Sequence, residues 1–144
     1  MFGRKRALAD EAAVLVAIEM MRSNPAYQAA EALRQHTSDG SVGMAKAPPD
    51  SPEHKAVLLL ISTWESIALM ALSLKQKDRI FEVTPVCHMQ RELRAAIEVL
   101  RESFPSIGAN FAALDAEYHA WMAKNKRDAR YVTAACNGLH ARFG

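Results

Sequence analysis

Cysteine is scarce in this chain. Cys87 and Cys136 are the only two among 144 residues, and their positions fit no disulfide or metal-binding motif. Small secreted domains that depend on disulfides carry many more cysteines. A chain of this length buries enough surface to fold without cross-links. The cysteine content therefore argues against a disulfide scaffold and predicts reduced thiols in a cytoplasmic protein.

A large excess of charge is also missing. The formal net charge is +2, whereas a nucleic-acid-binding domain usually carries a concentrated basic patch. The N-terminus is basic and then apolar, as in a signal peptide. However, Asp10, Glu11 and Glu19 interrupt the apolar part, and no small-residue cleavage site follows. We therefore predict that residues 4–23 form a helix of the mature protein.

Apolar residues at helical spacing are what the sequence has in abundance. The most apolar segment, LLLISTWESIALMALSL from Leu58 to Leu74, is long enough to cross a bilayer, but a charge at the centre of a span costs about 3 kcal/mol. Ser62, Glu65 and Ser66 fall within an arc of about 100° when the segment is helical. A narrow polar stripe on an otherwise apolar helix is typical of the central helix of a bundle. We therefore predict such a helix at about 52–75 and no membrane span.

Prolines indicate the bounds of the other helices. Because the residue before a proline avoids the helical region, Asn24 and Pro25 should end the first helix at about Ser23. The segment PAYQAAEALRQH can then form a second helix that opens on Pro25. Another helix follows Pro85 and is stopped by Pro105. Residues 80–83, just before it, fit either a short extended piece or the approach to this helix.

Two segments complete the predicted organisation. Residues 37–51, TSDGSVGMAKAPPDS, are rich in glycine and proline and are predicted as a flexible loop. Residues 108–138 keep one heptad stripe, but a single helix would be about 50 Å long at 1.5 Å per residue. Asn125 and Asp128 interrupt this stripe, so a break is predicted there. The expected fold is all-α: one domain, 1–144, forming a compact bundle of five or six helices around the central helix.

Potential metal ligands do not form a complete motif. Cys136 and His140 are four residues apart and can share one helix face, and Cys87 with His88 can supply further ligands. No recognised zinc spacing results. The Glu-Xaa-Xaa-His pairs of di-iron bundles are absent from the sequence. We therefore predict no metal and no cofactor.

One carboxylate–imidazole pair keeps an enzymatic function open. Asp115 and His119 are four residues apart, and a carboxylate that orients an imidazole is the basis of general-base catalysis. No nucleophile motif accompanies the pair. A small hydrolase is therefore a third functional hypothesis, and no residue is assigned a catalytic role.

Two basic segments support a second hypothesis, a nucleic-acid-associated regulator. Basic side chains at 4–6 and at 124–130 can contact phosphates. Neither segment comes with a recognisable helix-turn-helix or with interleaved aromatic residues. The candidate phosphate-contacting residues are Arg4, Lys5, Arg6, Lys124, Lys126, Arg127 and Arg130.

Glu65 is the charged residue for which the sequence predicts a partner. It lies on the helix expected to be central, and a buried charge needs a counter-charge or hydrogen-bond donors. The helix after Pro85 carries Arg91, Arg94 and Arg101 on its polar face. We therefore predict an arginine or a set of donors against Glu65. The predicted polar stripe or cleft consists of Glu65, Ser62, Ser66, Arg91 and Arg94.

The segments LLLISTWESIAL and FAALDAEYHAW resemble an uncharacterised bacterial and phage family of helical domains. Its members carry an aromatic–glutamate pair after an apolar run on a core helix, and Trp64 and Glu65 match that pair. Ser62 stands where the family often has asparagine. The similarity covers about residues 55–124. The family has no established activity, so the resemblance implies a fold rather than a function.

The favoured hypothesis is a non-enzymatic interaction or regulatory protein that acts through protein–protein contacts. The sequence supplies helices and a core but no complete catalytic or cofactor motif. Its apolar content also predicts a homo-oligomer, because helical hairpins often complete their cores with a twofold partner. The identity of the protein partner is not indicated by any motif.

Overall fold

The computed structural model describes residues 2–125. This part of the chain contains seven helices and no strand, which confirms the predicted all-α fold. Two of the seven are short, with seven and six residues. The helices are α1 (Phe2–Arg22), α2 (Pro25–His36), α3 (Gly40–Lys46), α4 (Pro52–Leu72), α5 (Asp78–Val83), α6 (Val86–Leu100) and α7 (Ala109–Asn125).

Side-chain caps fix the starts of α2 and α4. The Asn24 side chain accepts a hydrogen bond from the Ala26 amide at 2.8 Å. The Ser51 hydroxyl accepts one from the His54 amide at 3.2 Å. Each cap satisfies an amide that has no partner within its own helix, and a proline follows each cap as the first helical residue. Both helices therefore begin where the local sequence predicts.

The helix α4 is the centre of the bundle, and it packs against α1, α2, α3, α6 and α7. Its polar stripe is where the sequence predicts it: Ser62 and Ser66 are exposed and Glu65 is half-buried. Among the described helices, only α4 is long and apolar enough to cross a membrane. Of its apolar window, 44% is buried inside the fold, and the core helix of a soluble protein has the same properties.

Trp64 joins four helices at the middle of the core. It is fully buried on α4, and its ring stacks on Phe111 of α7 with 5.2 Å between ring centroids. Its indole N–H donates to the hydroxyl of Tyr27 on α2 at 3.0 Å. The Arg22 guanidinium at the end of α1 lies 5.7 Å from the indole centroid. Apolar packing, a hydrogen bond and a cation–π contact therefore converge on one side chain.

The prediction of a flexible loop over 37–51 is wrong for its middle part, which forms α3. Met44 of α3 is fully buried. The Ser41 hydroxyl donates to the backbone carbonyl of Glu92 on α6. A β-carbon at Gly43 would lie 2.1 Å from the Ser38 carbonyl oxygen. Glycine is therefore present for a close backbone contact, and its presence here does not indicate flexibility.

The structure also settles the ambiguous bounds near α5 and α6. Residues 78–83 are helical, so the alternative of a short extended piece at 80–83 is wrong. The helix α6 ends at Leu100, one turn before the predicted end at Pro105. Since α7 is described to Asn125, the predicted break between Asn125 and Asp128 lies at the limit of the described residues and stays a prediction.

Candidate functional site

Glu65 binds the N-terminus of α7. Its carboxylate accepts a hydrogen bond from the Phe111 amide at 2.7 Å and from the Asn110 amide at 3.4 Å. The Asn110 side-chain amide donates to it at 3.2 Å. The first amides of a helix have no partner within that helix, and the helix dipole favours a negative charge there. The predicted set of hydrogen-bond donors for Glu65 is therefore present, and it comes from the first turn of α7.

Arg91 and Arg94 occupy a different place. Both are exposed on α6, and their positive charges act on Asp115 of α7, where they oppose a rise in the pKa of its carboxyl. The two serines of the predicted cleft, Ser62 and Ser66, stay beside Glu65 on α4. The structure thus brings the α4 members of the predicted set together and places both arginines near another carboxylate.

An open groove of about 850 Å³ lies between α4 and the α6–α7 connection. Phe104 is 50% exposed in it, and Leu59 is 37% exposed. Among the described residues of its lining, Glu65 is the only ionisable one, and its carboxylate accepts hydrogen bonds from α7. Apart from the Glu65 carboxylate, the described lining of the groove therefore consists of apolar side chains and small hydroxyls. Its lining consists of Leu58, Leu59, Ile61, Ser62, Glu65, Ser66, Ser103, Phe104, Pro105, Ser106 and Ile107.

The residue before α7 must be glycine. Gly108 has φ +79°, and a β-carbon there would lie 2.9 Å from Cγ2 of Ile97. We expect Gly108→Ala to lower the free energy of unfolding by about 2 kcal/mol, because backbone strain and a steric clash act together. Urea denaturation measures the loss. Gly40→Ala is the control, since Gly40 has φ +58° but no atom within 4 Å of an added β-carbon. Equal losses in the two variants would show that the contact with Ile97 is unimportant.

Glu11 is a structural residue that the sequence analysis missed. It is 1% exposed on α1, and its carboxylate accepts hydrogen bonds from the amides of Arg79 at 2.8 Å and Ile80 at 3.3 Å. These amides belong to the first turn of α5. The position of Glu11 could have signalled burial, because it lies seven residues before Ile18 and therefore on the same helix face as this core residue.

Asp115 and His119 lie together on α7, as their spacing predicts. The Asp115 Oδ1 atom is 3.4 Å from Nε2 of His119. Asp115 is 8% exposed, and burial raises the pKa of its carboxyl, while the charges of His119, Arg94 and Arg91 oppose the rise. Oδ1 accepts no hydrogen bond within the described part of the chain. A buried carboxylate oxygen without a donor is costly.

Cys87 reaches the same place from the first turn of α6. Its Sγ atom, an Asp115 carboxylate oxygen and a His119 ring nitrogen all lie within 4.8 Å of one another. Cys87 is buried and disulfide-bonded, so the prediction of reduced thiols is wrong for this residue and no longer supports a cytoplasmic location. Cys136 lies outside the described residues. The sequence could not reveal this cluster, because its members belong to two different helices.

The candidate phosphate-contacting residues that the structure describes lie on two different helices, α1 and α7. Arg4, Lys5 and Arg6 are exposed near the start of α1, and Lys124 is exposed near the end of α7. The other three candidate phosphate-contacting residues, Lys126, Arg127 and Arg130, fall beyond the described range, as does His140.

The similarity around Trp64 and Glu65 to an uncharacterised family stays a prediction. No family model matches the chain, and neither the curated proteins nor the solved structures contain a match.

Proposed function

We propose that this protein is a non-enzymatic interaction protein that binds an amphipathic helix of another protein in the groove beside Glu65. The observation that carries the proposal is the largely apolar groove with a half-exposed Phe104. A large aromatic side chain on the surface is typical of the residues that contribute most to binding. Helix-in-groove recognition uses such an apolar lining and reads side chains at successive helical turns of the partner.

The dimensions of the groove favour a helix as the occupant. Its α4 wall runs from Leu58 to Ser66, and the exposed Leu69 continues the same stripe. At 1.5 Å per residue the wall from Leu58 to Ser66 is about 12 Å long, and the stripe is about 16 Å long when Leu69 is included, which corresponds to two to three turns of a partner helix. Ser62 and Ser66 are small, so a partner helix can approach α4 closely. The one charged group of the described lining, Glu65, is hydrogen-bonded to α7, so the contacting face of the partner should be mainly apolar.

Replacing Phe104 with aspartate should abolish this binding. The variant places a charge in the lining of the groove, and loss of a dominant contact costs about 2 kcal/mol or more, which is about 30-fold in affinity. The control is Val83→Asp, because Val83 is 65% exposed on α5 and is not part of the groove lining. Because Phe104 is half-buried, Phe104→Asp should lower the free energy of unfolding by about 1 kcal/mol, and Val83→Asp should be closer to neutral, so both variants should remain folded.

The experiment combines affinity purification from the native host with a photo-crosslinking residue at position 62 or 66. The expected result is a protein that the original chain and Val83→Asp retain and Phe104→Asp loses, with crosslinks that map to an amphipathic helix. The proposal would be contradicted if Phe104→Asp retained the same protein as the original chain. Crosslinks only to a second copy of this chain, or binding only to DNA or RNA with a steep dependence on salt, would also contradict it.

A further inference from the structure

We infer that Cys87, Asp115 and His119 form a zinc site in the reduced protein, and that the disulfide at Cys87 closes this site to metal. The inference is independent of the groove and of its partner. It rests on three donor atoms from two helices that meet within 4.8 Å of one another. Thiolate, carboxylate and imidazole are the three ligand types that zinc takes from proteins.

The distances fit a tetrahedral ion. Zn–N and Zn–O bonds of about 2.1 Å at a tetrahedral angle place the nitrogen and the oxygen about 3.4 Å apart. The measured separation of Asp115 Oδ1 and His119 Nε2 is 3.4 Å, which is long for a hydrogen bond. A sulfur bonded at about 2.3 Å would lie about 3.6 Å from such an oxygen. The three donor atoms therefore have to move only slightly closer together to bind the ion.

The orphaned oxygen of Asp115 is the second observation that points to a ligand. Oδ1 is buried and accepts no hydrogen bond from any described residue. A zinc ion would satisfy it, and the charges of the thiolate and the carboxylate together balance those of the cation. The side chain of His119 is 52% exposed, so the site lies at the surface. Three protein ligands leave a fourth position for water.

The redox state of the Cys87 disulfide determines whether the site can bind zinc. A metal requires the Cys87 sulfur as a thiolate, and a disulfide sulfur cannot supply it. A dithiol reductant supplies two electrons and two protons to the disulfide, gives two thiols and itself becomes a disulfide. Zinc then replaces the proton of the Cys87 thiol, and that proton passes to solvent. Reduction thus opens the site, and oxidation releases the ion.

The test titrates the full-length chain with zinc after reduction by a water-soluble phosphine. The phosphine takes an oxygen from water to become its oxide, while the two sulfurs take the two hydrogens. Affinity is measured by competition with a chromophoric chelator. Cobalt(II) serves as a spectroscopic substitute, because thiolate ligation gives a sulfur-to-metal charge-transfer band. The expected result is one bound ion in the reduced chain, the charge-transfer band, and no binding to the oxidised chain.

Three variants assign the ligands. Cys87→Ser, Asp115→Asn and His119→Ala should each weaken zinc binding by at least about 100-fold, because even an outer-shell partner of a ligand contributes about 10–100-fold. His119 is half-exposed, so its variant keeps the test informative if a buried substitution impairs folding. The control is His36→Ala, at an exposed histidine of α2. Zinc should also raise the melting temperature of the reduced chain but not that of the His119 variant.

Two outcomes would overturn the inference. One is a reduced chain that binds no zinc and shows no charge-transfer band. The other is zinc binding that Asp115→Asn and His119→Ala leave unchanged, since the ion would then be held by other residues.

Discussion

Replacing Trp64 with alanine is expected to lower the free energy of unfolding by about 4 kcal/mol. The side chain is fully buried, so its removal leaves a large cavity. The stack with Phe111 and the hydrogen bond to Tyr27 disappear with it. Contacts with α1, α2 and α7 are lost together. Urea denaturation followed by circular dichroism measures the loss, and a variant within about 1 kcal/mol of the original would show that the ring is not packed as described.

The matched control is Trp64→Phe. Phenylalanine keeps most of the ring volume and can still stack on Phe111, but it has no N–H to donate to the Tyr27 hydroxyl. The expected loss is about 1–2 kcal/mol, because a buried hydroxyl loses its donor. A double-mutant cycle with Tyr27→Phe isolates this hydrogen bond. A coupling free energy near zero in that cycle would show that the hydrogen bond between Trp64 and Tyr27 does not stabilise the fold.

Replacing Glu65 with alanine is expected to lower the free energy of unfolding by about 3 kcal/mol. The variant removes a charged acceptor from two backbone amides and one side-chain amide at the start of α7. It also removes the negative charge that the helix dipole favours, which contributes up to about 2 kcal/mol in partly buried positions. Native-state hydrogen exchange should show faster exchange of the Phe111 amide. Urea denaturation measures the total decrease in the free energy of unfolding.

The glutamine variant separates charge from hydrogen bonding. Glu65→Gln keeps one acceptor oxygen and removes the charge, so we expect a loss of about 1 kcal/mol. Glu98→Gln, at an exposed residue of α6, is the control for charge removal at the surface and should be nearly neutral. Losses that are equal in Glu65→Ala and Glu65→Gln would show that the remaining oxygen does not cap α7.

The helices with local start signals could be predicted from the sequence. The segment PAYQAAEALRQH forms α2 between Pro25 and His36, as predicted, because the cap at Asn24 and the proline after it act within one turn. The central position of α4 was predictable for a similar reason. Its narrow polar stripe is a property of the sequence alone, and the neighbours that cover the rest of α4 only have to be apolar.

The short helix α3 could not be predicted in the same way. Its seven residues include two glycines, and glycine lowers the intrinsic tendency to form a helix. The helix is stabilised by burial of Met44 and by the bond of Ser41 to α6, and both contacts are between segments far apart in sequence. The composition of α3 indicates a low local tendency to form a helix, and the tertiary contacts overcome this tendency.

The sequence could not identify the groups that contact Glu65 and Cys87, because those groups lie on other helices. The need of Glu65 for donors follows from its position on a central helix. The identity of those donors depends on where the connection at 101–108 places the start of α7. Cys87 likewise meets Asp115 only because α6 and α7 pack together. Spacing within one helix showed the pair of Asp115 and His119, but no spacing rule relates residues on different helices.

The two capping glutamates, Glu11 and Glu65, have a consequence for synthesis on the ribosome. Glu11 of α1 caps α5, and Glu65 of α4 caps α7. In both cases the acceptor precedes its donors, by 68 residues for the Arg79 amide and by 46 for the Phe111 amide. Because domains emerge from the N-terminus first, each carboxylate is already made when the amides that it receives are translated. The nascent chain therefore carries the docking point for each later helix before that helix exists.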